Sequence, residues 1–218
     1  MDIKEKPCII ITISRKMGSG GTYIGYLAAK ELGFRYLDRE ILRLAASKLG
    51  IQPDMLEQYD GRSASLMENI VQAFCFSTPE MPNLPPLGRP VYNKDLFALE
   101  SKIMKEVADQ CSAVIVGRGG FYILKDRPDT IHIFVHAPLD YRIERIMKVQ
   151  KIADKREARK MIEESDHTRA KFIHDMVGTD WCDARNYQLC IDSSVAGFPA
   201  CVEMITKLVS IKRAAQLQ

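Results

Sequence analysis

Residues 8–25, "CIIITISRKMGSGGTYIG", constrain this chain more than any other stretch. The unbroken β-branched run reads as a strand buried on both faces, as in a parallel sheet. After the glycines at 18, 20 and 21, Ile24, Leu27, Ala28 and Leu32 fall at i, i+3, i+4 and i+8, a helical stripe closed by Gly33. Strand, glycine loop and helix in that order form a cradle for phosphates. Glycine lets the backbone approach anionic oxygens, and the helix points its positive end at them. Against the pattern G-x-x-x-x-G-K-[ST], Arg15 replaces the first glycine, Gly18, Ser19 and Gly20 follow, and Gly21 stands in the lysine's position. Thr22 occupies the hydroxyl position, so it is a candidate magnesium ligand or a plain helix-capping residue.

The missing lysine has a measurable cost. Removing one preorganised donor to transition-state charge raises a barrier by about 3–4 kcal/mol. A catalytic loop of this form therefore needs positive charge from elsewhere. Either Arg15 or Lys16 is expected to fold back over the phosphates; the competing reading leaves both solvated.

The rest of the chain repeats the alternation. "FRYLD" reads as a short strand before a helix starting near Arg39, and short helices fill the region up to Cys75. "STPEMPNLPPLGRP" carries five prolines and reads as a surface loop. Asn93 is placed to cap a helix running to about Gln110. "SAVIVGRGG", "TIHIFVHA" and "YQLCIDSS" are further strand patterns, and a final helix carries Val202, Ile205 and Val209 on one face. Alternating strands and helices imply a parallel sheet covered on both sides, with ligands beyond the carboxyl ends of its strands. Both glycine loops fall there.

With 218 residues, one compact domain is expected, and a net charge of +3 gives no case for nucleic-acid binding. The apolar run near the start is too short for a membrane span. Six cysteines at wide spacing read as reduced, mostly buried thiols, with no metal pattern among them. Together these imply a cytoplasmic protein; the oligomeric state stays open.

Six segments, "ITISRKMGSGGTYIG", "ELGFRYLDREIL", "IVGRGGFYIL", "DHTRAKF", "GTDWCDARNYQL" and "IDSS", resemble the cytidylate kinase-like family of the nucleoside monophosphate kinases in order and spacing. The resemblance implies a three-layer α/β P-loop kinase fold in a single domain, residues 1–218. It would carry a helical acceptor-binding insert at about 38–100 and a lid at about 153–180. It implies ATP- and Mg2+-dependent phosphoryl transfer to a nucleoside monophosphate, CMP or dCMP. In that family the lysine-free form of the loop is usual.

Carried over residue by residue, Gly18, Ser19, Gly20, Gly21 and Thr22 would hold the ATP phosphates, with Arg15 or Lys16 supplying charge. Asp38 and Arg39 would project toward the acceptor; their alternative is a helix cap and a solvated side chain. Arg118 would clamp the acceptor phosphate. Asp166 and Arg169, three apart on one helix face, would act from the lid, Arg169 as a built-in arginine finger. Ser193 and Ser194 would lie beneath the donor adenine. Trp181 reads as packing, and His136 and His174 as structural or exposed.

The chain also departs from the family. Val116 and Gly119 replace carboxylates on either side of Gly117–Arg118, Phe121 replaces a further aspartate, and His167 stands where relatives carry a basic residue. These departures weaken the expectation of cytosine recognition. They leave open a kinase of another small-molecule acceptor, or a nucleotide-binding regulatory module without catalysis.

Overall fold

The structure, a computed structural model, describes residues 8–38 and 94–216. The helix expected near Arg39, the short helices up to Cys75, the proline-rich loop and Asn93 lie outside the described residues. So does most of the expected acceptor-binding insert.

Five parallel strands form one sheet: β1 (Ile10–Arg15), β2 (Arg35–Asp38), β3 (Ala113–Val116), β4 (Thr130–His136) and β5 (Leu189–Asp192), in the order β2-β3-β1-β4-β5. The helices are α1 (Gly21–Leu32), α2 (Lys94–Gln110), the single turn α3 (Gly120–Ile123), α4 (Leu139–Gln150), α5 (Lys155–Val177) and α6 (Ser193–Ala215). Central β1 pairs with β3 from Ile10↔Ala113 to Ile13↔Val116, and with β4 from Ile10↔Thr130 to Arg15↔Val135. Its glycine loop therefore leaves the middle of the sheet's carboxyl edge, beside the loops after β3 and β4.

The period of two along each strand builds two apolar layers. Ile9, Ile11 and Ile13, with Val114 and Ile133, pack against Ile24, Ala28 and Ala29 of α1 and Val202, Ile205 and Val209 of α6. On the opposite face Ile10, Leu37, Ala113 and Ile115 meet Ile103, Met104 and Val107 of α2. Each fully buried aliphatic side chain contributes about 1.5–3 kcal/mol, so both helical layers are firmly held. This is the P-loop kinase fold that the sequence implied. The stripe read on α1 is buried at Ile24 and Ala28, and Gly33 closes the helix in left-handed conformation.

By length and composition α6 is apolar enough to cross a membrane. Here Cys201, Val202, Ile205 and Val209 belong to the core, and the helix kinks at Gly197, just before Pro199.

The thiols differ from expectation. Cys201 is buried, Cys8 half-buried, and Cys182 and Cys190 are exposed free thiols, whereas Cys111 is disulfide-bonded. Spacing along the chain says nothing about which sulfurs the fold brings together.

Candidate active site

The loop between β1 and α1 is shaped by three close approaches. Gly18, at φ 84°, lies under the first turn of α4, where a Cβ would stand 2.9 Å from both the Cβ and the carbonyl oxygen of Arg142. Gly20, at φ 82°, caps α1 and faces the Phe198 ring, 2.5 Å from where a Cβ would be. At Gly21 a Cβ would lie 2.6 Å from the Cβ of Arg15 and 3.1 Å from that of Val135.

The last contact locates the side chain that replaces the lysine. The Arg15 stem crosses over Gly21, and its Nε donates to Thr22 Oγ1 at 3.2 Å. Its Nη1 presses on Gly117, where a Cβ would be only 2.2 Å away. Tyr36, at the neighbouring strand end, registers the same charge: burial and then Asp38 push its phenol pKa up, while Arg15 pulls it down. Lys16 leans the other way, its Nζ 6.0 Å above the buried Trp181 ring. Of the two candidates from sequence, Arg15 is the one folded over the loop.

Ser193 and Ser194 act on backbone and on each other's surroundings. Ser193 is fully buried, and its hydroxyl donates to the carbonyls of Ser19 at 2.6 Å and His136 at 3.1 Å. Ser194 donates both N–H and hydroxyl to Asp192 Oδ1, capping α6. Both serines brace the site from below.

From the far side comes α5, the core of the stretch expected as a lid. Asp166 accepts from the Met17 N–H at 2.9 Å and pairs with Arg142 Nη1 at 2.6 Å. Arg142 in turn donates to the Met17 carbonyl at 3.1 Å. One residue of the glycine loop, Met17, is thus held at both its N–H and its carbonyl, by a carboxylate from α5 and a guanidinium from α4. Arg169 lies 3.4 Å from Asp166 Oδ1 and from the Arg15 carbonyl, so the expected pairing within α5 is present. His167 is exposed, and the pairs Arg159–Glu163 and Lys171–Asp175 face solvent on the outer side of α5.

At the third corner Arg118 is buried in an ion pair with Glu100 of α2 and lies under the Phe172 ring. Asp38 ends β2 next to Val116 and accepts from the Tyr36 hydroxyl at 3.2 Å. Arg39 lies outside the described residues. Between these groups opens a cleft of about 710 Å³, lined by Arg15, Gly117, Arg118, Arg169, Phe172 and Trp181, among others. Trp181 also packs edge-on against Phe134, 5.7 Å between centroids, so it is both core and wall.

Residues 10–195 match the cytidylate kinase-like family. The chain belongs to that family. The cytidylate kinase of Pyrococcus abyssi (strain GE5 / Orsay) is 26% identical over 190 residues, 87% of each chain. That of Thermococcus kodakarensis (strain ATCC BAA-918 / JCM 12380 / KOD1) is 23% identical over 190 residues, 87% of this chain and 81% of the relative. A crystal structure of an uncharacterized protein from Eubacterium ventriosum ATCC 27560 superposes with a TM-score of 0.65 at 23% identity, covering 93% of this chain and 98% of that one.

Membership carries kinase activity on a nucleotide or another small molecule. Within this family member the departures have clear positions. Val116 ends β3 in the core, Gly119 packs near Phe97 and Ile173, and Phe121 is buried against Tyr187. Glu100 and Arg142 are the two site residues that the sequence reading missed. Glu100 sits mid-helix and Arg142 in the first turn of its helix, each among other charges, and only its partner far along the chain sets it apart.

Proposed function

We propose that the protein transfers the γ-phosphoryl group of ATP to the phosphate of a nucleoside monophosphate, with CMP or dCMP as first candidates. The observation that carries this reading is the Arg15 side chain lying across Gly21 with its guanidinium at Thr22. Positive charge thereby returns to the place the lysine vacates, which a loop serving only as a turn has no need of.

The cradle of Gly18, Ser19, Gly20 and Gly21 takes the donor phosphates on backbone N–H groups. Thr22 Oγ1, which accepts from Arg15 Nε in this structure, would be the protein ligand for Mg2+. One hydroxyl suffices, because this ion keeps several waters and binds mainly to substrate phosphates. Among the described residues no acidic, histidine or cysteine cluster offers a separate metal cage. Held there, magnesium would supply compensation for the negative charge of the donor phosphates. Arg15 spreads charge from the transferring group on the β3 side of the loop, and Arg169 does so from α5, the lid. Arg118, with Asp38 and Arg39, receives the acceptor.

An oxygen of the acceptor phosphate attacks the γ-phosphorus in line as the bond to the β–γ bridging oxygen breaks; the acceptor becomes a nucleoside diphosphate and ADP is the leaving group. A dianionic phosphate needs no general base, so alignment and charge supply the catalysis. The fastening of Asp166 to the Met17 peptide ties the lid to the loop, which suits a site that must exclude water during transfer.

The burial of Phe121, where some relatives carry an aspartate, favours a second reading in which the acceptor is another small phosphorylatable metabolite. Incubating the purified protein with ATP, Mg2+ and a panel of nucleoside monophosphates and sugar or acid metabolites separates the readings. Formation of CDP or dCDP above the other products is the expected result. Turnover of a non-nucleotide alone transfers the assignment to that metabolite. Nucleotide binding without turnover of any acceptor leaves a regulatory module and ends the proposal.

A further inference from the structure

Three unusual features meet at Arg118. Its backbone is left-handed, at φ 52°, between two left-handed glycines at φ 84° (Gly117) and φ 69° (Gly119). A residue with a side chain persists there only where its surroundings overdetermine it. Those surroundings are the second feature. Arg118 Nε donates to Glu100 Oε2 at 2.6 Å, Nη2 donates to Oε1, and Phe172 of α5 covers the guanidinium at 5.3 Å from its ring centre. Glu100 is itself only 2% exposed. The third feature is what this side-on grip leaves over. Nη1 has no hydrogen-bond partner among the described residues, and Arg118 lines the cleft shared with Arg15 and Arg169.

We propose that Glu100 is the positioning residue of the acceptor site: it grips Arg118 from behind, so that the remaining guanidinium edge meets the anionic group of the acceptor. The inference rests on the phosphotransfer reading above and deepens it by adding a residue from α2. An arginine on a glycine loop would otherwise sample many rotamers and give up that freedom on each binding event. A two-point carboxylate grip fixes plane and direction beforehand, which a single contact or a lysine cannot reproduce. The strained backbone follows from the same requirement, since Gly117 and Gly119 turn the chain sharply enough to bring Arg118 back against α2.

The test compares KM for CMP with KM for ATP in the wild type, Glu100→Gln, Arg118→Lys and the double variant. Glu100→Gln is expected to raise the CMP value about tenfold, or 1.4 kcal/mol, and to leave the ATP value within about twofold. The double variant is expected to match Arg118→Lys alone, because the grip has no purpose once the fork is gone. Additive losses, or equal rises for both substrates, overturn the proposal. Should Glu100→Gln fail to fold, Glu100→Asp keeps the charge on a shorter reach; it is expected to raise the CMP value alone, and an unchanged value in the folded variant overturns the proposal. If the wild type does not phosphorylate CMP, the functional reading fails separately. The inference is then decided by the side-chain 15N resonance of Arg118, assigned by its loss in Arg118→Lys. It is expected to shift on titration with inorganic phosphate and to broaden into solvent exchange in Glu100→Gln. A resonance indifferent to both overturns the inference.

Discussion

Restoring the standard loop is the sharpest probe of the Arg15 exchange. Gly21→Lys places a Cβ 2.6 Å from Arg15 Cβ and 3.1 Å from Val135 Cβ, against a normal carbon contact of about 3.5–4.0 Å. Backbone strain does not enter, because Gly21 has no positive φ. The overlap of about 1 Å is overpacking, which costs about 1–3 kcal/mol. For a chain of this length that lowers Tm by about 2–4 °C per kcal/mol. Arg15→Gly removes the obstruction and the guanidinium together. It is expected to cut kcat by about 10²–10³, with a smaller stability loss of about 0.5–1 kcal/mol from glycine in a strand. The double variant Arg15→Gly/Gly21→Lys reads "GKMGSGKT" across positions 15–22, a complete G-x-x-x-x-G-K-T. It is expected to regain both stability and most of the rate, giving a favourable coupling of about 1–3 kcal/mol between two sites that are each harmful alone. Thermal melts and steady-state phosphotransfer from ATP to CMP measure the two halves. A Gly21→Lys protein as stable as wild type, or losses that simply add, would show that Arg15 does not occupy the lysine's place.

Gly18→Ala combines a left-handed backbone with a contact of 2.9 Å to the Arg142 carbonyl, so a loss of about 2–4 kcal/mol is expected in urea titrations. An unaffected midpoint would refute the close approach of α4. Ser193→Ala strips a donor from the Ser19 and His136 carbonyls; a loss of about 1–2 kcal/mol and a raised KM for ATP are expected, with the CMP value little changed. His132, hydrogen-bonded to Thr12 at 2.7 Å, is held neutral first by burial and then by Lys212, its pKa brought from 6.5 down to about 4. Because the unfolded chain takes up this proton more readily, stability is complete above pH 6.5 and falls toward pH 4, by at most about 1.4 kcal/mol per pH unit from this group. His132→Gln should flatten that part of the melting-temperature profile, and an unchanged slope would refute the assignment.

The layers of this protein were open to reading in its sequence because they follow from neighbours along the chain. A β-branched run ending in glycines, then apolar residues three and four apart, specifies strand, loop and helix by local geometry. The repetition of that alternation specifies a parallel sheet whose carboxyl edge holds the loops. The six segments also carried the family, which the match over residues 10–195 shows.

What composition and periodicity left undecided was the wiring between loops. The sequence offered Arg15 and Lys16 as equals; only the packing of Arg15 over Gly21 and against Gly117 separates them. Glu100 and Arg142 looked like ordinary helix charges, because their partners Arg118 and Asp166 lie 18 and 24 residues away. The disulfide at Cys111 was not legible from cysteine spacing either. Periodicity is a one-dimensional signal and fixes which face a residue shares. The partner across that face is chosen by how helices and loops meet over the sheet, and at this site those meetings decide where each guanidinium comes to rest.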